Sequence, residues 1–202
     1  MSERLKTKKN IILIIGIAFS VFSCRIDKAR LNEEFINACV KENYKLMKKL
    51  LEKGADVNFR DKKENITALM WAVRYDELEI VKYLVSKGAD VNAGINSPQD
   101  TPLMWASEKG SLEIVKFLVL NGATINAPNG ETSALMMAAK GGHFEIVKHL
   151  IKHGANVNAI NNFGQTAISW ACRMGYFEIV IYLVNKGAKV NTGGDTLHDS
   201  AL

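Results

Sequence analysis

Three prolines are scattered over 202 residues, and three cysteines are all the thiols there are. So few prolines leave long stretches free to be helical. So few cysteines exclude a disulfide-stapled scaffold. No apolar run reaches the roughly 20 residues that a helix needs to cross a bilayer. Charge of one sign is also scarce once the first 23 residues are set aside. They hold Arg4, Lys6, Lys8 and Lys9 against Glu3, and without them the formal charge falls from +5 to +2. A body so near neutrality has little pull on a phosphate backbone, which argues against nucleic acid as a partner. Apolar residues make up 48% of the chain, enough to build a core and to exclude wholesale disorder.

Residues 1–23 have the form of a secretory signal peptide: a basic start, an uncharged run from Ile11, and small Ser23 at its boundary. The run is short for a stable transmembrane span, which is the weaker reading. Val21-Phe22-Ser23-Cys24 resembles a bacterial lipobox, in which the cysteine is acylated and becomes the first residue of the mature chain. Val21 and Ser23 fit that pattern, whereas Phe22 stands where a small residue is usual. The apolar run stops at Cys24, which favours Cys24 as a lipidation site over an ordinary signal peptide that happens to hold a cysteine. Membrane attachment through this segment is therefore expected, with 24–30 as a short linker.

Self-comparison reveals a period of 32 to 34 residues. Gly-Ala-Asp-Val-Asn at Gly54–Asn58 returns at Gly88–Asn92, and variants follow at Gly122–Asn126, Gly154–Asn158 and Gly187–Asn191. Ahead of the last four lie apolar blocks such as Leu-Glu-Ile-Val-Lys-Tyr-Leu-Val at 78–85 and Phe-Glu-Ile-Val-Ile-Tyr-Leu-Val at 177–184. A third block runs Thr67-Ala-Leu-Met-Trp-Ala, Thr101-Pro-Leu-Met-Trp-Ala, Ser133-Ala-Leu-Met-Met-Ala and Thr166-Ala-Ile-Ser-Trp-Ala. The Thr and Ser residues suit helix N-caps, and Pro102 suits the first helical position. The glycines suit the left-handed residue that ends a helix, and the closing Asn suits a turn.

Three co-registered blocks at this period resemble the ankyrin repeat, over residues 31–191. The resemblance implies an all-α solenoid of stacked helix–loop–helix units with hairpin loops, binding another protein through loop tips and the inner helix face. The units fall at 31–58, 59–92, 93–126, 127–158 and 159–191, with 192–202 as a tail or an incomplete sixth. Where the family often has histidine after Thr-Pro-Leu, this chain has Met70, Met104, Met136 and Ser169. The first unit reads as a cap, with Glu33 at its N-cap position and Lys41, Lys45, Lys48 and Lys49 on a wet outer face.

Cys39 and Cys172 share the small-residue column of Val73, Ser107 and Ala139, four units apart. At packed-helix spacing that separates them by on the order of 40 Å, far beyond the roughly 7 Å between Cα atoms that a disulfide allows. Both are expected as buried free thiols. His149 and His153 stand four apart, a spacing that can hold a metal ion. They share columns with Tyr83, Phe117 and Tyr182 and with Lys87 and Lys186, so repeat position accounts for both and no metal site is expected. His143 falls in the Gly-His position of the family, and its role reads as structural. There is no phosphate-cradling loop and no Gly-x-Ser-x-Gly elbow, so neither an enzyme nor a cofactor is expected, nor a small-molecule substrate.

On the first helix of each unit, the Leu69, Leu103, Leu135 and Ile168 column defines the buried side. Trp71, Trp105, Met137 and Trp170 point away from it. Beside them run Arg74, Glu108, Lys140 and Arg173, then Tyr75, Lys109, Gly141 and Met174. Stacked, these columns make a ladder on the inner face, with the chemistry of interface hot spots. The tryptophans also read as covers for a neighbour's backbone, the reading favoured for them, while binding is favoured for the charged flanks. The hairpin tips add Phe59, Arg60, Lys62, Lys63, Ile95, Asn129, Asn162 and Phe163. The expected function is that of an exported, lipid-anchored adaptor or inhibitor at a bacterial envelope. The alternative is a secreted effector acting on a host protein.

Overall fold

Phe35, Ile36, Ala38 and Cys39 recur at helical spacing and are all buried. They lie on α1 (27–40), and α2 (Tyr44–Glu52) follows it with Met47 and Leu50 buried. The computed structural model describes residues 27–94, 100–127 and 131–190. In it the chain divides into two compact units between Phe59 and Arg60. The first unit therefore holds α1, α2 and the loop after them. Asn43 caps α2 by accepting the Leu46 N–H at 3.1 Å. Asn32, buried on α1, accepts the Asp56 N–H at 2.8 Å and so ties the loop back to the helix. Glu33 is not an N-cap: it lies inside α1, which is already helical at residue 27. The Arg30–Glu34 pair, four residues apart at 3.1 Å, supports that first turn. Lys41, Lys45, Lys48 and Lys49 are exposed, as a solvated face requires.

The second unit alternates short first helices with longer second ones. These are α3 (Ala68–Arg74), α4 (Leu78–Ser86), α5 (Pro102–Lys109), α6 (Leu112–Leu120), α7 (Ala134–Gly141), α8 (Phe144–Lys152), α9 (Ala167–Met174) and α10 (Phe177–Asn185). The described residues contain no strand. Hydroxyl side chains set the start of each first helix. Thr67, Thr101 and Ser133 accept the N–H three residues on, from Met70, Met104 and Met136 at 3.3 Å. Thr166 exchanges bonds with Ser169 in both directions, at 3.1 and 3.0 Å, a reciprocal capping box. Between the paired helices the chain makes one left-handed residue: Asp76, Gly110, Gly142 and Gly175, with Glu42 in the same role in the first unit.

First helices pack on first helices (α3 on α5, α5 on α7, α7 on α9) and second helices on second, in two layers. The first-helix layer is the more closely packed. Its facing columns are small: Ala72, Ala106, Ala138 and Ala171, with Ser107 and Ala139 beside them, all buried. Closer spacing puts this layer on the inner side of the stack. Leu69, Leu103 and Leu135 are each 1% exposed and Ile168 4%. Truncating such a residue to Ala costs about 2–5 kcal/mol. From the second layer, Ile80, Val81, Leu84 and their counterparts close the core.

Asparagine closes each Gly-Ala string, and at Asn92, Asn126 and Asn158 its side chain binds the next repeat. Asn92 Oδ1 accepts the Thr124 N–H at 2.7 Å, and its Nδ2 donates to the Gly122 carbonyl. Asn126 does the same to Asn156 and Gly154, and Asn158 to Lys189 and Gly187. The expected turn role is there too, in bonds from the Asn92 and Asn158 N–H groups to Asp90 and Asn156. The staple is the larger part of the residue's work.

Cys39 is buried, but Cys172 is exposed, against expectation. In the second compact unit Val73, Ser107 and Ala139 of its column each have a following first helix, and α9 is the last first helix among the described residues. The same end of the stack exposes Phe177, Ile181 and Val184 along one face of α10. Ile181 replaces the lysine that pairs with a glutamate three residues back in α4, α6 and α8.

Candidate functional site

α3, α5, α7 and α9 carry the expected ladder, and the structure joins much of it into one network. On α3, Trp71 is only 6% exposed. Its ring stacks on Tyr75 with centroids 5.7 Å apart, and the Arg74 guanidinium carbon stands 5.0 Å from its centroid. Arg74 also meets Glu64 of the preceding hairpin at 3.1 Å. Lys109 of α5 donates to the Arg74 carbonyl. Glu108 of α5 binds Lys140 of α7 at 2.7 Å, and Lys140 reaches the Trp170 ring of α9 at 5.5 Å. Arg173 covers the same ring at 5.1 Å. Trp105 and Trp170 are half-buried. Trp71 thus packs, whereas Trp105 and Trp170 pack and also present an edge of surface, and cations lie over Trp71 and Trp170.

A cavity of about 510 Å³ opens between the hairpin, α3 and α5. Trp105, Glu108, Lys109 and Arg74 line it, as do Glu64, Ile66 and Asp100. The last three were not among the expected site residues. Ile66 and Asp100 occupy the position just before the N-cap, where later units have Thr132 and Gln165. That column changes chemistry from unit to unit, which is the signal that could have marked it.

Of the hairpin-tip residues, Phe163 is 71% exposed and Phe59, in the first unit, is half-buried. Arg60 is turned into the fold: it donates to the carbonyls of Asn65 and Gly94 at 3.0 and 2.5 Å. Met174 is 48% exposed at the end of the ladder. Ile95, Asn129 and the lipidation candidate Cys24 lie outside the described residues. Asp61 shapes the first hairpin of the second unit, accepting the N–H groups of Lys63, Glu64 and Ile66. Partial burial pushes its carboxyl up, but those backbone donors and the nearby Trp71 indole outweigh it and hold the carboxyl below its ordinary 3.8.

The histidines have structural geometry. His143 Nε2 lies 2.8 Å from the Glu108 carbonyl, and its ring fills the space beside Gly110 and Gly141. His149 and His153 lie with centroids 4.1 Å apart and planes tilted by 35°, in the register where Lys87 lies over Tyr83 and Lys186 over Tyr182. The pair repeats that arrangement, one ring as the aromatic partner and the other in the cation's place. Burial, then His153, Lys116 and Lys152, pull the His149 imidazole below its ordinary 6.5, with Glu113 opposing. Among the described residues no three His, Cys, Asp or Glu side chains gather as a metal shell.

The family model for ankyrin repeats, in three copies, matches residues 35–129 and 126–193. The chain is an ankyrin-repeat protein. A search of the curated proteins finds no match. Ankyrin repeats imply protein–protein interaction, and in this ankyrin protein the ladder of α3, α5, α7 and α9 offers aromatic and charged groups on the layer expected to face a partner.

Proposed function

We propose that this ankyrin protein is an adaptor or inhibitor that holds a partner protein on the inner ladder, and that it does so from a bacterial envelope membrane. The ladder carries the first half of the reading. Trp105, Glu108, Lys109, Lys140, Trp170 and Arg173 form a half-exposed aromatic and charged row, and row members bridge successive units. A surface of this chemistry suits a protein, since aromatic and arginine side chains carry most binding energy in interfaces. The second half rests on sequence: the basic start, the short apolar run and Cys24 at its end support export and acylation. No catalytic role enters the proposal.

The test uses photo-crosslinking residues in the native cell, placed at Lys109 and Met174 on the ladder and at Lys82 and Lys116 on the opposite layer. A discrete protein adduct from the ladder positions alone supports the adaptor reading. Equal labelling from both layers, or none, removes it. The intact mass of the mature chain, beside a Cys24→Ser variant, tests the anchor. A diacyl or triacyl mass lost in the variant supports it, whereas cleavage nearby without lipid shifts weight to a secreted effector.

A further inference from the structure

Two tryptophans of the ladder already carry a guanidinium from their own helix. Arg74 stands 5.0 Å from the Trp71 centroid and Arg173 5.1 Å from that of Trp170. In both, the arginine is three residues after the tryptophan. On α5 that position holds Glu108, so Trp105 has an acid where its counterparts have a cation. No cation lies over Trp105 among the described residues. Trp105 lines the cavity of about 510 Å³, and Asp100 lines the same cavity.

We propose that this cavity receives an arginine side chain from the partner protein. The proposal rests on the adaptor reading and names the chemistry of its occupant. Three carboxylates and two cations line the space. Both cations are engaged by the protein itself, Arg74 by Glu64 and Trp71, and Lys109 by the Arg74 carbonyl. Glu64 and Glu108 are answered by Arg74 and Lys140. Asp100 is left as the lining carboxylate with no ion pair or hydrogen bond among the described residues. An uncovered indole and an unanswered carboxylate in one cavity together suit a cation. A planar guanidinium stacks on the one and binds the other through two N–H groups, which an ammonium cannot do. The volume exceeds one side chain, so the segment bearing the arginine enters with its flanking backbone.

The experiment is an NMR titration of the full-length chain with acetyl-Gly-Arg-Gly-amide, following the Trp105 indole N–H, assigned with Trp105→Phe. The same peptide with citrulline, and with glutamate, serves as control. The expected result is a saturable Trp105 shift in the millimolar range for the arginine peptide alone. Asp100→Asn should weaken that binding by about threefold or more, with an unchanged thermal midpoint. If Asp100→Asn disturbs the fold, Trp105→Leu carries the test through the heteronuclear spectrum, with the amide of Lys109, which lines the cavity, as reporter. Absence of a shift, an equal response to citrulline, or full binding by these variants overturns the proposal. Failure here beside intact crosslinks from Lys109 removes the arginine pocket and leaves the adaptor reading. Arginine binding without crosslinks does the reverse.

Discussion

Lys140 on α7 meets Glu108 on α5 at 2.7 Å while standing 5.5 Å from the Trp170 ring on α9. One side chain thereby touches three successive units. The position decides how much of the ladder belongs to the fold. Both members of the pair are more than a third exposed, at 37% and 47%. Screening by solvent limits such a pair to about 0–1 kcal/mol.

The same reasoning applies to Arg74 and Arg173, which lie over aromatic rings at the surface. Replacing both with Glu should leave the thermal midpoint within a few degrees of the parent, roughly a 1 kcal/mol effect. The yield of crosslinked partner from Lys109 should fall about tenfold or more, because two charges reverse sign across an interface. Thermal melts and the crosslinking assay check the two halves separately. A sharp drop in midpoint instead assigns these arginines to the fold.

Asn126 contributes two bonds to the next unit, to the Asn156 N–H at 2.8 Å and the Gly154 carbonyl at 2.9 Å. The side chain is exposed, so water replaces part of what is lost on truncation. Asn126→Ala should cost about 1–2 kcal/mol. Asn126→Asp keeps the acceptor but sets a carboxylate oxygen against the Gly154 carbonyl, so it should be no more stable than the alanine variant. Urea unfolding of the three proteins measures the order, and an alanine variant as stable as the parent would show that the staples carry no weight.

The helices, their hydroxyl caps and the buried Leu and Ala columns were legible because each recurs at a fixed offset. Recurrence averages out the accidents of any one position. The staple was not legible, since Asn92 and Asn126 read equally well as turn residues, and their second partner lies about thirty positions away. Repeat logic also failed at the ends. Cys172 shares a column with buried Ala139, yet the column is buried only where another first helix follows. Asp100 escaped notice because its column holds Ile66, Thr132 and Gln165, and a column without a consensus looks like filler.

Gly142 and Gly175 adopt nearly the same backbone, φ +75° and +77°, but differ in what surrounds them. A Cβ on Gly175 meets nothing within 4 Å, whereas one on Gly142 falls 2.6 Å from the Tyr176 ring. Gly175→Ala should cost only the left-handed strain, about 1 kcal/mol. Gly142→Ala should cost a further 1–3 kcal/mol or so, as Tyr176 is displaced. Equal losses in thermal melts would mean that Tyr176 moves freely.

The cysteines should separate by reactivity. Burial pushes the Cys39 thiol up to about 12, against a backbone hydrogen bond that works the other way. Cys172 is exposed. A maleimide at neutral pH should label Cys172 in minutes and Cys39 only after urea is added. Peptide mapping of the labelled chain, with Cys24→Ser to remove the third thiol, distinguishes them. Fast labelling of Cys39 in the folded protein contradicts its burial.

Asp61 makes the hairpin before α3 sensitive to acid. Its folded carboxyl titrates below the ordinary 3.8, held there by backbone donors against the opposing effect of burial. A depressed carboxyl contributes stability that is fully present above the unfolded value and lost as pH falls through the lower folded one. Thermal midpoints should therefore decline as pH drops below about 4. Asp61→Asn removes this titration, so its midpoint should fall less steeply over the same window. At neutral pH the variant should be the less stable, because an amide Nδ2 in place of the Oδ2 that accepts from Ile66 sets donor against donor. Asn161 shows what an amide needs there: its Oδ1 takes the Phe163 and Gln165 N–H groups, and its Nδ2 donates to the Gln165 and Thr132 oxygens. The Asp61 hairpin accepts at both oxygens, so the exchange costs stability at pH 7 and flattens the acid limb. Parallel pH profiles for the two proteins contradict the assignment to Asp61.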